Sequence, residues 1–170
     1  MTETPSEIPP ARTRVTYLTT ERVPTIVRIA RDVEPEEMAA LFDETFTALG
    51  PALEEHGVVP AGPAFSLHHR LPGATMTFEV GFPLAAPLDG EIEGGGIQFI
   101  PSSTPAAQVA TVSHLGGYDE LTQAWSDLMQ RVAADGRQPA LPFWEVYVGE
   151  PGPDVEPSTL RTDLVTAVGG

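Results

Sequence analysis

Glu145 stands in a run of otherwise apolar residues, Leu141-Pro-Phe-Trp-Glu-Val-Tyr-Val148, rich in aromatic and β-branched types and ended by Gly149 and Pro151. Such a run reads as a largely buried strand, where a carboxylate loses several kcal/mol of hydration unless something compensates it. The two-residue repeat of a strand sets Phe143, Glu145 and Tyr147 on one face, with Trp144, Val146 and Val148 on the other. Three chemistries fit this arrangement. Between the aromatic walls of Phe143 and Tyr147, Glu145 suits a flat organic cation, each wall adding cation–π attraction of about 0.5–2 kcal/mol when desolvated. It equally suits a general base acting on water, with Tyr147 as proton donor. The structural alternative is an ion pair with an arginine such as Arg70 or Arg161.

Other residues carry weaker signals. Trp144 points away from Glu145 in a regular strand, so it serves equally as a packing residue or as a ring for a ligand. Phe82 ends the apolar face Met76, Phe78, Val80, Phe82 just before Pro83, where a cleft rim is plausible. Trp125 lies on a helical stripe and reads as core. Tyr118 follows Gly116 and Gly117 at a helix start, as a first-turn core residue or beside an anion-accepting helix end. His68 and His69 are neighbours on a strand and face opposite ways, and His56 and His114 lie apart, so no metal is expected. The chain has no cysteine and no lysine, its nine basic residues all being arginine. That removes disulfides, thiolate chemistry, Schiff bases and P-loops, and no serine sits in a G-x-S-x-G frame. No cofactor is expected.

The elements that position Glu145 read as a duplication. Val15-Thr-Tyr-Leu18 matches Ile97-Gln-Phe-Ile100, and Val27-Arg-Ile-Ala30 matches Val109-Ala-Thr-Val112. A helix follows in each half, with Met38, Leu41, Phe42, Phe46, Leu49 and Leu53 as the first stripe after acidic Glu34-Pro-Glu-Glu37. Tyr118, Leu121, Trp125, Leu128, Met129 and Val132 form the second, stopping at Gly136. Strands 64–70 and 75–82 complete the first half, 141–148 and 160–168 the second. The Gly-rich stretch 87–96 joins them. The expected fold class is α+β: two pseudo-twofold-related βαββ units forming one antiparallel-rich sheet, with both helices on one face and a ligand cleft on the other. Aligning Phe65 with Phe143 places Leu67 opposite Glu145, so the slot appears in one half as leucine and in the other as carboxylate.

At 170 residues, 41% hydrophobic and without a long apolar run, the chain suits one soluble domain. A net charge of −15 disfavours nucleic acid and favours cationic partners through long-range steering. The acidic, Pro-rich start lacks the basic and apolar regions of a secretion signal, so the cytoplasm is expected, with no membrane partner.

His114-Leu-Gly-Gly-Tyr118, Trp125, Trp144-Glu-Val-Tyr-Val-Gly-Glu-Pro151 and Leu160-Arg-Thr-Asp-Leu-Val-Thr-Ala-Val168 occur in this order. Together they resemble the bacterial effector-binding family, also called GyrI-like or AraC-type effector-binding domains, over nearly all of residues 13–168. The resemblance implies a tail at 1–12, a domain at 13–168 with repeats at 13–86 and 97–168, and a cleft for small, often cationic aromatic molecules. A buried glutamate after the second helix meets the ligand charge in the family's multidrug regulators, and Glu145 is its match. Tyr147, Phe143, Trp144 and Phe82 are the candidate ligand-contacting walls. Some relatives resemble hydrolases that open cyclopropane-bearing toxins with a glutamate and an aromatic hydroxyl, which here are Glu145 and Tyr147. Others act on DNA gyrase, which the acidic charge of this chain supports only weakly. No helix-turn-helix precedes Thr13, so the expectation is a stand-alone binder, monomeric or homodimeric, without direct contact to nucleic acid.

Overall fold

The computed structural model describes residues 10–71, 73–148, 156 and 159–169. The expected ending of the Glu145 strand at Gly149 and Pro151, most of the 1–12 tail, and the family match at 149–151 lie outside the described residues. Residue 12 already belongs to the folded unit, because Arg12 N–H donates to Ser113 Oγ and Ser113 N–H to the Arg12 carbonyl.

Nine strands and two helices form an α+β fold among the described residues. The strands are β1 (Thr16–Thr19), β2 (Val23–Val33), β3 (Ala64–His68), β4 (Met76–Pro83), β5 (Ile92–Gly94), β6 (Ile97–Thr104), β7 (Gln108–Leu115), β8 (Gln138–Tyr147) and β9 (Arg161–Gly169). Helix α1 (Met38–Glu55) follows β2 and α2 (Leu121–Ala134) follows β7. All described pairings are antiparallel, in the order β1-β7-β9-β8-β3-β4-β2-β6-β5. The β2-α1-β3-β4 unit and the β7-α2-β8-β9 unit meet where β3 pairs with β8. The strand in front of each unit, β1 or β6, is exchanged onto the outer edge of the other.

The helices form for the reasons their sequences announce. A 3-10 turn at Pro35–Glu37 leads into α1, and Glu34 N–H is capped by Glu37 Oε1 at 3.0 Å. Gly57 and Gly136, at φ 67° and 79°, take the left-handed conformation that ends each helix. The first stripe packs as expected: Met38, Leu41, Phe42 and Phe46 meet Ala30, Val33, Phe78 and Val80, while Leu49 and Leu53 meet Ile26, Leu84 and Phe99. Helix α2 sets Leu121, Trp125, Leu128 and Val132 on Tyr17, Ala110 and Leu164. Within the expected joint 87–96, β5 pairs back on β6 through Gly95 and Gly96, both at positive φ as a tight hairpin requires.

The sheet is rolled. Residues 20–22 alone connect β1 to β2 and can reach across at most about 14 Å. On a flat sheet these strands, first and seventh in the order, would stand about 29 Å apart. Residues 105–107 make the equivalent link from β6 to β7. The two links are tied together where they cross: Thr20 N–H donates to the Ala107 carbonyl at 2.8 Å, and Ala107 N–H to Thr20 Oγ1 at 3.1 Å. The helix-free face is therefore the inside of the roll, filled by Val27, Phe65, Leu67, Val109, Trp144 and Val165. This corrects the expected position of the cleft. The face opposite the helices is a packed interior, and Glu145 lies on the helix-bearing face.

Candidate ligand-binding site

Strand registers fix which side chains share a face. Ser66 pairs with Glu145 and His68 with Phe143 across the β3–β8 junction. Leu164 pairs with Glu145 and Thr162 with Tyr147 on the other side. Phe143, Glu145 and Tyr147 thus form a row on the floor between α1 and α2, as the strand repeat predicts. A β-bulge between Ala140 and Phe143 breaks the β8–β9 register just before this row.

Both oxygens of Glu145 are engaged, and both by neutral donors. Trp125 Nε1 donates from α2 to Oε2 at 2.6 Å, and the Tyr147 hydroxyl donates to Oε1 at 2.7 Å. With the Tyr147 proton directed to the carboxylate, the Ser66 hydroxyl, 2.7 Å away, donates to the Tyr147 oxygen. Burial, then the charge of Glu145, pushes the Tyr147 phenol well above its usual range, so it stays protonated at neutral pH. The arginine alternatives are occupied elsewhere: Arg70 pairs with Asp32 and Arg161 with Asp163. Among the described residues no basic side chain pairs with Glu145. The carboxylate is half-buried and held by these hydrogen bonds alone among the described residues.

Aromatic rings from both halves surround it. Phe42 of α1 meets Tyr147 edge-on with centroids 5.5 Å apart, and Tyr118, at the entry to α2, meets the same ring at 6.0 Å. Trp125 stands edge-on to Phe143 at 5.1 Å, and Phe143 stacks on His68 at 4.7 Å with an interplanar angle of 6°. Two hollows, of about 400 Å³ beside Asp43, Thr47 and Gly94 and about 440 Å³ beside Arg14 and Arg131, are not lined by Glu145 or its partners.

The expected site residues divide. Glu145, Tyr147 and Phe143 come together. Trp144 does not: it lies on the opposite face, 6% exposed in the interior of the roll, where it packs against Phe65 and Leu67 of the same cluster. Phe82 contacts Phe46 at 5.4 Å and belongs to the packing under α1, separated from Tyr147 by Phe46 and Phe42. Trp125, expected in the core, has a polar end on Glu145, and Ser66, Phe42, Tyr118 and His68 join the same neighbourhood. A tryptophan N–H on a helix stripe facing a strand carboxylate is the signal that marked Trp125, because a buried indole needs an acceptor.

The alignment of Leu67 with Glu145 is also corrected. Leu67 lies on the inner face, since it pairs with Trp144. Val27 and Val109 share the interior cluster, as do Leu18 and Ile100, which supports the front-strand match. Carrying that match across the sheet, Arg28–Val80–Ser66 in one half corresponds to Ala110–Thr166–Phe143 in the other. Ser66 then matches Phe143, and His68 matches Glu145. Phe65 and Phe143 are identical residues one register apart, and a one-residue slip exchanges the faces. His68 and His69 do face opposite ways as expected, His68 stacking on Phe143 and His69 pairing with Glu79. No cluster of metal-ligating side chains occurs among the described residues.

No family model matches the sequence, and no curated protein does. Solved structures do. The C-terminal domain of EcmrR superposes with a TM-score of 0.74 at 20% identity, covering 92% of this chain and 97% of that one. SAV2435 bound to tetraphenylphosphonium gives 0.65 at 8% identity, covering 93% and 95%. A hydrolase encoded by lin2189 from Listeria innocua gives 0.62 at 9%, covering 94% and 93%. The chain has the fold of these proteins. At such identities the likeness is one of architecture, and no helix among the described residues is long and apolar enough to cross a membrane.

Proposed function

We propose that this chain is a GyrI-like effector-binding domain that captures bulky aromatic cations, with Glu145 as the counter-charge. One observation carries the reading: a half-buried carboxylate with no basic partner, held by Trp125 and Tyr147 and surrounded by rings from both halves. A lipophilic cation supplies the missing charge, and the rings supply apolar and cation–π contact. Trp125 and Tyr147 keep the anion hydrogen-bonded in the empty protein, which offsets its desolvation. Selectivity is for charge and flatness, because one anion and several rings define little else. Binding of tetraphenylphosphonium by SAV2435, which shares this fold, supports the reading. The test is a titration of tetraphenylphosphonium against wild type and Glu145→Gln by calorimetry. Removing one partner of a desolvated charge pair weakens binding by about thirtyfold or more. Equal affinities would exclude the counter-charge role.

The second reading, a hydrolase, is favoured by one contact, the Tyr147 hydroxyl on Glu145. Glu145 would draw a proton from water as its oxygen bonds to a strained cyclopropane carbon, while Tyr147 delivers a proton to the carbon released by ring opening. Incubation with cyclopropane-bearing alkylators, followed by mass spectrometry for the water adduct, tests it. Absence of adduct removes this reading and leaves the first intact.

A further inference from the structure

His68 is 5% exposed, yet has no hydrogen-bond partner among the described residues. Both planar faces of the imidazole are covered: Phe78 stacks at 5.0 Å from β4 and Phe143 at 4.7 Å from β8. Only the ring edge, which carries both nitrogens, is left for a partner. Among the described residues, the sealed side-chain atoms without a partner are Thr25 Oγ1 and Thr162 Oγ1. The His68 nitrogens are not among them, so the ring edge is not sealed off.

The position of His68 gives that edge a meaning. Its register with Phe143 puts it on the Glu145 face, one diagonal step away across the β3–β8 pair, a spacing of about 7–8 Å. The front-strand match makes it the pseudo-symmetric counterpart of Glu145. One planar ligand lying across the junction can reach both. We propose that His68 is a specificity-determining residue of this site, whose neutral imidazole accepts a hydrogen bond from an amino group that an aromatic cation carries away from its charge. Burial, with a smaller contribution from His69, lowers the His68 pKa to about 4, so the ring adds no repulsion toward a cation at neutral pH. The inference rests on the cation-binding reading and narrows it: the preferred ligands are flat cations bearing an amino donor, above cations of equal size and charge without one.

The experiment compares ethidium with its analogue lacking both amino groups, by calorimetry, on wild type, His68→Phe and Glu145→Gln. Phenylalanine preserves the stack between Phe78 and Phe143 and removes only the acceptor. Wild type is expected to prefer ethidium about three- to tenfold, the worth of one neutral hydrogen bond. His68→Phe is expected to erase that preference. The proposal is overturned if wild type shows no preference, if the preference survives in His68→Phe, or if that variant weakens both ligands equally. Imidazole nitrogen shifts of His68 in the wild-type protein give a reading that does not depend on the variant folding. They should move with ethidium and stay with the analogue, and identical responses overturn the proposal. Glu145→Gln separates the two levels of the argument: it must weaken both ligands. If it weakens both while His68→Phe changes nothing, only the role of His68 falls. If it weakens neither, or neither ligand binds wild type, the cation-binding reading falls and takes the role of His68 with it.

Discussion

Two carboxylates of the rolled sheet, buried Glu79 and half-buried Glu145, are satisfied in different ways. Glu79, 7% exposed, pairs with Ile29 and Leu67 in the strand registers and so faces the inside of the roll. It accepts hydrogen bonds from Ser102 Oγ and from the exposed His69, whose ring nitrogen reaches its second oxygen. Glu145 faces the helices and accepts from an indole and a phenol, neither of which becomes a cation. Each carboxylate also has a histidine nearby on its own face. At Glu79 the pair is closed, with His69 in contact. On the other face the pair is held apart, with His68 clamped between two phenylalanines and Glu145 one diagonal step away. The lesson is that burial of an acid does not identify a site. What distinguishes Glu145 is the lack of a basic partner among the described residues, in aromatic surroundings.

The largest expected effect breaks this comparison directly. Glu145→Gln should weaken tetraphenylphosphonium binding by about 2–5 kcal/mol, whereas Glu79→Gln, with His69 turned to solvent, should leave the affinity within about twofold. Calorimetric titration of both variants decides it. A comparable loss in Glu79→Gln would mean that net charge, not the location of the anion, governs binding.

The next effect concerns the separated histidine. Burial lowers the folded-state pKa of His68 to about 4, from the ordinary imidazole value of 6.5. Below about pH 6.5 the unfolded chain gains a proton there that the folded protein does not. Stability from this group is therefore present above pH 6.5 and is lost as pH falls toward 4, by about 3 kcal/mol in total. Urea unfolding of wild type and His68→Phe from pH 7 to pH 4 should show the variant losing that much less. Parallel curves would mean that His68 is not held neutral by its stack.

Much of this arrangement is legible in the sequence, and the failures have physical causes. The two-residue repeat placed Phe143, Glu145 and Tyr147 together, and the 3.6-residue repeat gave both helix stripes, because these patterns are local. Curvature is not local. The rolling that fills the helix-free face follows from residues 20–22 and 105–107 being short links between distant strands, which is visible only once the strand order is known. That is why a cleft expected on the helix-free face meets packed interior instead, where Trp144, a candidate wall through the family resemblance, is also buried. Trp125 looked like core because its ring is core, while its N–H alone has chemistry to do. The offset between the repeats changes at the bulge in β8, so matching Phe65 to Phe143 put Leu67 where His68 belongs. The short β5 hairpin was hidden in a glycine-rich stretch, where turn residues conceal a three-residue strand.

The smallest expected effect tests how each carboxylate responds to losing one neutral donor. Tyr147→Phe removes the hydroxyl from Glu145 Oε1, and Ser102→Ala removes one from Glu79 Oε1. In the first case the anion keeps only the Trp125 N–H, with no basic group to take up the slack, and stability should fall by about 1–3 kcal/mol. In the second, His69 still faces the other oxygen, and the loss should stay nearer the low end of that range. Because an entering cation repairs the deficit left by Tyr147→Phe, the affinity of that variant for tetraphenylphosphonium should be unchanged or slightly tighter. The hydrolase reading requires the opposite outcome for function, since loss of the phenol would stop proton delivery. Chemical denaturation of the two variants, with the cation titration run beside it, measures both. A larger loss in Ser102→Ala than in Tyr147→Phe would show Glu79 to be the more poorly compensated anion and would reverse the comparison.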